Sequence, residues 1–272
     1  MPSPKDIATD GGAPMIPEQR RELMLRQLRK HQVLSVHQLM EMFECSHMTV
    51  RRDIALLEQE GRAYSVTGGV RIASQLHSEP SHQSKAVVEL PQKQAMAKLA
   101  ARLLHADMTV YLDAGTSTLE IVPYITALSG MTVVTNDFGV AQALMDAPHV
   151  TVIHTGGQLD HSNHSCVGGL AVATLRQIVT DIAFMSTSSW DLLRGITTPS
   201  ALKVEVKQVA MQSASHTVLV ASSSKYGTLS MYKIAGLEQF DTIISDDNLA
   251  AAAADGIRKQ GVDLLLPSDD LR

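Results

Sequence analysis

Leu34–Ile72 reads LSVHQLMEMFECSHMTVRRDIALLEQEGRAYSVTGGVRI. Ser35 has the chemistry of a helix N-cap. Val36, Leu39, Met40 and Phe43 follow at i, i+3, i+4 and i+7, the spacing of one helical face. Glu44 and Cys45 break the pattern, and Ser46 is a second N-cap. Val50, Ile54 and Leu57 then keep helical spacing until Gly61 ends the helix. Two short β-prone runs around Thr67-Gly68-Gly69 make a hairpin. Upstream, Glu18–Lys30 forms a further helix with Met24, Leu25 and Leu28 on one side. A capped helix, a tight turn, a second capped helix and a hairpin make a winged helix-turn-helix.

In that arrangement the second helix enters the major groove and its first turn faces the base edges. The candidate DNA contacts are therefore Ser35, Ser46, His47, Thr49, Arg51, Arg52, Arg62 and Arg71. Ser46, His47 and Thr49 can hydrogen-bond bases or phosphates. Arg51 and Arg52 offer forked donors to guanine or phosphate oxygens. Arg62 and Arg71 flank the wing, near the DNA backbone. An arginine pair on a helix also reads as a solvated face, one member paired to a carboxylate such as Glu58 and Asp53 orienting a guanidinium. The order of the elements favours DNA contact.

Outward from this module, residues 1–14 hold almost no apolar side chain and are expected to be a disordered leader. Residues 15–74 form the DNA-binding domain, the polar stretch 75–92 with Pro80 and Pro91 reads as a linker, and residues 93–272 form a larger domain. There, short β-rich runs alternate with helical patterns, which implies a mostly parallel sheet covered by helices. The expected strands are 109–112, 132–135, 150–154, 182–185, 218–221, 242–244 and 263–266. The expected helices are 118–128, 138–147, 170–179, 204–215 and 249–260.

The net charge of -5 hides an asymmetry. Residues 15–74 carry 9 Lys and Arg against 7 Asp and Glu, while residues from 75 onward carry 13 against 19. A mildly basic head on an acidic body fits a nucleic-acid module joined to something else. No run of about 18 apolar residues can span a membrane, and the N-terminus lacks the apolar core of a signal peptide, so the protein is expected to stay in the cytoplasm. Cys45 and Cys166 are far apart and read as free thiols. His154, His161 and His164 fall within eleven residues but match no zinc spacing. No metal and no cofactor is expected, and the three histidines read as a polar loop at a pocket rim.

YLDAGTSTLE (Tyr111–Glu120) is the clearest small-molecule site. An apolar strand runs into Asp113, then a small-residue turn, then a helix. Gly115, Thr116, Ser117 and Thr118 place hydroxyls and N–H groups at a helix N-terminus, which favours an anion. The segment equally reads as an ordinary capped turn. Three more turns follow expected strands: Thr135-Asn136-Asp137, Thr155-Gly156-Gly157, and Ser222 to Gly227 with Lys225. Ligands of parallel sheets gather at the carboxyl ends of strands. The candidate effector-binding residues are thus Asp113, Gly115, Thr116, Ser117, Thr118, Thr135, Asn136, Asp137, Gly156, Gly157 and Lys225.

IPEQRRELMLRQL (16–28), the 34–61 segment and the GGV of the hairpin resemble the N-terminal signature of the DeoR family of bacterial regulators. That family's D-x-G-[ST]-T turn stands here at Asp113–Thr118, its T-N at Thr135-Asn136, its G-G at Gly156-Gly157, its S-K-[FY]-G at Ser224–Gly227, and its D-x-I-[IV]-[ST]-D at Asp241–Asp246. The resemblance implies a C-terminal α/β sensor domain like ribose-5-phosphate isomerase. It also implies operator DNA as a partner, a small sugar-derived effector, and repression of carbohydrate genes by an oligomer of at least two chains. Three departures stand out. Met185–Trp190 replaces a glycine-containing turn, Ser222 replaces an Asp, and Lys203 replaces a Glu. Losing two carboxylates and gaining a lysine makes the expected pocket more electropositive, so the expected effector is anionic, a sugar acid or its phosphate. Trp190 is expected in the core. The competing expectation is a sugar-phosphate isomerase with an added DNA-binding head, with Asp113 or Asp137 as the base and Lys225 as an electrophile. Against it, no P-loop, nucleophile elbow or dinucleotide fingerprint is present.

Overall fold

The computed structural model describes residues 15–271, so the expected leader at 1–14 lies outside the described residues. The chain divides into two compact units at Ser74/Gln75.

In the first unit, α1 (Pro17–His31), α2 (Val36–Phe43) and α3 (His47–Gln59) accompany three short strands, β1 (Val33–Ser35), β2 (Ala63–Val66) and β3 (Gly69–Ile72). The strands form an antiparallel sheet in the order β1-β3-β2. Ser35 and Gln38 close a capping box at the start of α2, which satisfies two of the N–H groups that a helix start leaves open. Glu44 takes a left-handed conformation (φ 48°) and turns the chain into α3. The periodic apolar residues converge: Met24, Leu25, Leu28, Leu39, Val50, Ile54 and Leu57 are buried together with Leu34, Ala63 and Val70. This is the expected winged helix-turn-helix.

The second unit is built on seven parallel strands. In chain order these are β4 (Thr109–Leu112), β5 (Thr132–Thr135), β6 (Thr151–His154), β9 (Thr180–Ser186), β12 (Ala214–Val220), β14 (Thr242–Ile244) and β15 (Asp263–Leu265). A hairpin of β7 (Gln158–Asp160) and β8 (Ser165–Val167) and an antiparallel sheet of β10 (Ser189–Asp191), β11 (Gly195–Thr198) and β13 (Tyr232–Ala235) lie outside it. The helices are α4 (His82–Val87), α5 (Leu90–Ala100), α6 (Thr116–Leu119), α7 (Val122–Ile125), α8 (Phe138–Ala143), α9 (Gly169–Leu175), α10 (Ala201–Gln212) and α11 (Ala251–Lys259). The sheet order is β15-β14-β12-β9-β4-β5-β6. From β4 the chain winds outward to β6, then returns to the other side of β4 and winds outward to β15. The strand order therefore reverses between β4 and β9, where an open α/β sheet leaves a crevice at the strands' carboxyl ends.

The expected helix 118–128 is two short helices, because Pro123 at the start of α7 cannot continue α6. The stretch 75–92 is not a bare tether. Its Leu76 N–H donates to the Leu229 carbonyl (2.7 Å), it contains α4, and Lys93 of α5 donates to the carbonyls of Lys85 and Ala86 in the last turn of α4.

The wing depends on a close approach. A Cβ on Gly69 would sit 2.4 Å from the Leu34 carbonyl oxygen, and backbone cannot yield there cheaply. Gly69→Ala is expected to destabilise the first unit by about 1–3 kcal/mol. Circular dichroism melting should show an earlier first transition, while the transition followed by fluorescence of Trp190, the only tryptophan, stays in place.

Candidate functional site

In the first unit, α3 presents an exposed surface at its start: His47, Met48, Arg51 and Arg52 are all exposed. Neither arginine makes an ion pair among the described residues. The carboxylates beside them are engaged elsewhere. Asp53, 1% exposed, binds Arg20 Nε at 2.5 Å and Arg21 at 3.8 Å, which ties α3 to α1. Glu58 accepts from Ser65 Oγ at 2.8 Å. The expectation that Asp53 or Glu58 would hold Arg51 or Arg52 is thus replaced by inter-element bonds, and both guanidinium groups face solvent.

Other candidates are already committed. Ser35 caps α2. Ser46 caps α3, and its Oγ shares a 3.0 Å hydrogen bond with Thr49 Oγ1. Arg62 donates to Glu22 (2.7 Å) and Glu60 (3.5 Å), so it braces the wing against α1. Arg71 lies half-buried on β3 between Val33 and Tyr64, and burial lowers its pKa. Met48, 73% exposed in the first turn of α3, escaped the sequence reading. Such a side chain can contact a thymine methyl.

In the second unit, a cavity opens at the crevice between β4 and β9. The loop after β4 and the loop after β9 meet there. Asp113, 1% exposed, accepts at Oδ2 from the N–H and the Oγ of Ser186, each at 2.9 Å, and from the Lys207 ammonium. Gly115 is required by this contact, since a Cβ on it would lie 2.7 Å from Ser186 Oγ. Asp113 Oδ1 and Ser117 Oγ are buried without hydrogen-bond partners among the described residues. Both residues line the cavity.

Four lysines reach the cavity wall. Lys203 and Lys207 lie one turn apart on α10. Lys203 pairs with Glu79 (2.9 Å) and Asp160 (3.2 Å), and Lys207 with Asp113. Lys85 pairs with Glu79 (3.2 Å) and donates to Asn163 Oδ1. Lys225 differs from the others: its ammonium donates to the Thr187 carbonyl at 2.9 Å and, among the described residues, meets no carboxylate within ion-pair distance. Burial, with Lys85 and Lys93 nearby, pushes its pKa down to about 8. Burial alone would raise Glu79, but Lys203 and Lys85 outweigh it and hold its carboxyl at about 2.

The expected effector-binding residues divide between the cavity wall and its surroundings. Asp113, Gly115, Thr116, Ser117, Asn136 and Lys225 line the cavity, whereas Thr118, Thr135, Asp137, Gly156 and Gly157 do not. Asn136 Oδ1 accepts from Tyr111 OH and the Ala114 N–H, both at 3.0 Å. Asp137 caps α8 through the N–H groups of Gly139 and Val140 and accepts the Gly115 N–H at 3.0 Å. The Thr118 hydroxyl donates to the carbonyls of Asp113 and Gly115, and that of Thr135 to Leu112. These are the loop's scaffold. They also engage the N–H groups of Ala114 and Gly115, just ahead of the first turn of α6. Lys85, Lys203 and Lys207 also line the cavity, and none of the three is among the expected site residues. Gly156 (φ 64°) and Gly157 (φ 119°) shape the turn between β6 and β7, where a Gly157 Cβ would press on Val167 O and Ala171.

Trp190 is fully buried as expected and donates to the Ser222 carbonyl at 3.2 Å. His154 stacks on Phe138 and His164 on His82. No cluster of three or more His, Cys, Asp or Glu suited to a metal occurs among the described residues. Asp137, a candidate base for an isomerase, has both carboxylate oxygens occupied by backbone N–H groups.

Comparison with known proteins agrees over both units. Residues 20–76 match the DeoR-like helix-turn-helix domain and residues 89–247 the DeoR C terminal sensor domain. The uncharacterized HTH-type transcriptional regulator YgbI of Escherichia coli K12 is 41% identical over 94% of this chain and 100% of its own length. The transcriptional repressor AccR of Agrobacterium fabrum is 28% identical over 84% of this chain and 89% of its own. Ribose 5-phosphate isomerase A of Methanocaldococcus jannaschii covers 49% of this chain and 53% of its own at a TM-score of 0.36 and 14% identity, a likeness too slight to carry an argument.

The Asp113–Lys207 pair should govern stability. Lys207→Met leaves a buried carboxylate without its cation and is expected to cost about 3–5 kcal/mol. Urea unfolding followed by Trp190 fluorescence measures this directly, and an unchanged midpoint would assign Asp113 no dependence on Lys207.

Proposed function

Because the chain belongs to the DeoR family of DNA-binding transcriptional regulators, we propose that it represses genes of carbohydrate or sugar-acid catabolism and is released by a small acidic, sugar-derived effector. The observation that carries the effector class is the cavity at the strand-order reversal. It combines a lysine ammonium bound to no carboxylate with two unsatisfied polar atoms, Asp113 Oδ1 and Ser117 Oγ. A cation suits an acidic group. An open carboxylate oxygen accepts a sugar hydroxyl, and an open serine hydroxyl donates to an oxygen. Neutral sugars lack the first feature and simple inorganic anions lack the second. The sign of regulation draws support from AccR, which is named a repressor.

On the DNA side, α3 enters the major groove. Arg51 and Arg52 are its free cations, His47 and Met48 its exposed first-turn readers, and Ser46 and Thr49 its cap. The regulator acts as at least a dimer, since paired half-sites multiply affinity. Among the described residues no helix is long and apolar enough to cross a membrane, and the cytoplasm is its place of work.

Three measurements test this reading. Sequencing the genomic fragments retained by the purified protein should give a few sharp peaks near promoters; a flat profile would remove the regulatory site. Arg51→Ala or Arg52→Ala should each weaken operator binding by about 1–3 kcal/mol if the residue reads a base, and a phosphate contact should weaken all sequences alike. A calorimetric screen should find heat with sugar acids or their phosphates and none with neutral sugars, and the reverse pattern would overturn the effector class.

The pH dependence follows from Lys225. Its ammonium faces Lys85, Lys93, Glu79 and Glu89 and loses its proton near pH 8. An anion binds the protonated form, so affinity is highest below pH 8 and falls as pH rises past it. Lys225→Met should lower affinity and flatten this profile, as read by calorimetry between pH 7 and 9.

A further inference from the structure

The stretch that leaves the first unit carries one buried charge. Among residues 77–81, His77, Ser78, Pro80 and Ser81 are exposed, and only Glu79 turns inward. Its Oε2 lies between Lys203 (2.9 Å) and Lys85 (3.2 Å), and its Oε1 accepts from Ser188 Oγ at 3.2 Å. On either side the backbone is held by Leu76 to Leu229 and by His82 to Ser162. Glu79 therefore fastens the middle of a segment that is otherwise solvated. It stays ionised across the physiological range, because its carboxyl is held at about 2.

The carboxylate of Glu79 already occupies the space between two cavity lysines. We infer that Lys85 and Lys203 form a carboxylate subsite, filled in the free protein by Glu79 and taken over by the carboxylate of an incoming effector. The inference rests on the proposed anionic effector and adds a second position for an acidic group, apart from Lys225, together with what the effector displaces there. One carboxylate replaces another, so neither lysine is left uncompensated in the buried wall, and this is what makes the exchange feasible. Glu79 competes as a tethered group at high effective concentration. When it leaves, residues 77–81 lose their only inward anchor, and the stretch that joins the two units is released at the moment the effector binds. The effector then has a differential free energy between fastened and released states, as any coupling requires.

Glycolate serves as the probe because it carries one carboxylate and one hydroxyl. In full-length protein, Glu79→Gln removes the competitor, so glycolate should bind at least tenfold more tightly than to the wild type, by calorimetry against chloride at equal ionic strength. Adding Lys203→Gln should abolish the gain. Equal affinity in wild type and Glu79→Gln overturns the exchange. Hydrogen exchange on the wild type decides the question should the variant fail to fold. Glycolate at about 100 mM exceeds the millimolar effective concentration of a short tether, and should speed amide exchange at residues 77–81 where chloride does not. No glycolate-specific change there overturns the inference as well. The two readings fail separately: if the calorimetric screen finds acidic sugars bound equally to wild type and Glu79→Gln, the anionic pocket stands and the exchange falls, and if it finds neutral sugars bound and acidic ones not, the effector class falls.

Discussion

The second unit depends on a single buried carboxylate. Asp113 ends β4 at the place where the strand order reverses, so no βα connection spans the gap from β4 to β9. The strands pair through their backbones as far as the Asp113 N–H, which donates to the Phe184 carbonyl at 3.0 Å, and beyond that point side chains continue the join. Asp113 does so by taking the Ser186 N–H and hydroxyl from the β9 side. A charge at 1% exposure needs compensation, and Lys207 supplies it from α10 while also donating to the Ser186 carbonyl at 2.9 Å. One interaction thus fixes a strand end, a loop and a helix. Gly115 lacks a side chain because Ser186 stands where one would be. Asn136 and Asp137 from the β5 side complete the loop's support. The crevice keeps its shape because its floor is a buried ion pair between Asp113 and Lys207.

The sign of the cavity follows from where the cations are anchored. A helix N-terminus contributes at most about 1 kcal/mol toward an exposed anion, and here α6 spans only four residues with two neighbouring N–H groups already bonded. Buried ammonium groups act more strongly, because solvent screens them less. Lys207 and Lys203 are neutralised by Asp113, Glu79 and Asp160, while Lys225 is bonded only to a carbonyl dipole. The excess charge is thus concentrated on one ammonium in the wall of a cavity that Asp113 and Ser117 also line, and the proposed acidic effector draws on both features.

How far the sequence carried these conclusions varied with the range of the interactions. The first unit was legible almost residue by residue, since its caps, helical faces and hairpin are local signals. In the second unit β4, β5 and β14 fell at their expected bounds, because each is a short β-branched run between turn residues. The sheet of β10, β11 and β13 and the hairpin of β7 and β8 escaped notice, because their pairings are set by tertiary context. At the site, polar turns were identifiable, but a threonine that bonds its own backbone and one that faces a ligand look alike in sequence. Lys203 and Lys207 did leave a signal: they share a helical stripe with Val206 and Ala210, and a cation on an apolar stripe needs a buried partner. Glu79 and Lys85 left none, lying in a polar stretch that composition alone assigns to a linker.

That stretch also bears on how the two units communicate. The first unit has its own core and capped helices, and among the described residues none before Glu79 lines the cavity between β4 and β9. Within one chain the covalent route between them runs through residues 75–92, and the anchors of that route are charged: Glu79 and Lys85 in the cavity wall, and Lys93 against the end of α4. An apolar anchor would be indifferent to an anion. On the proposed exchange, a charged one shares its counter-ions with an anion that enters the pocket, so ligand charge and linker order are linked by the same lysines.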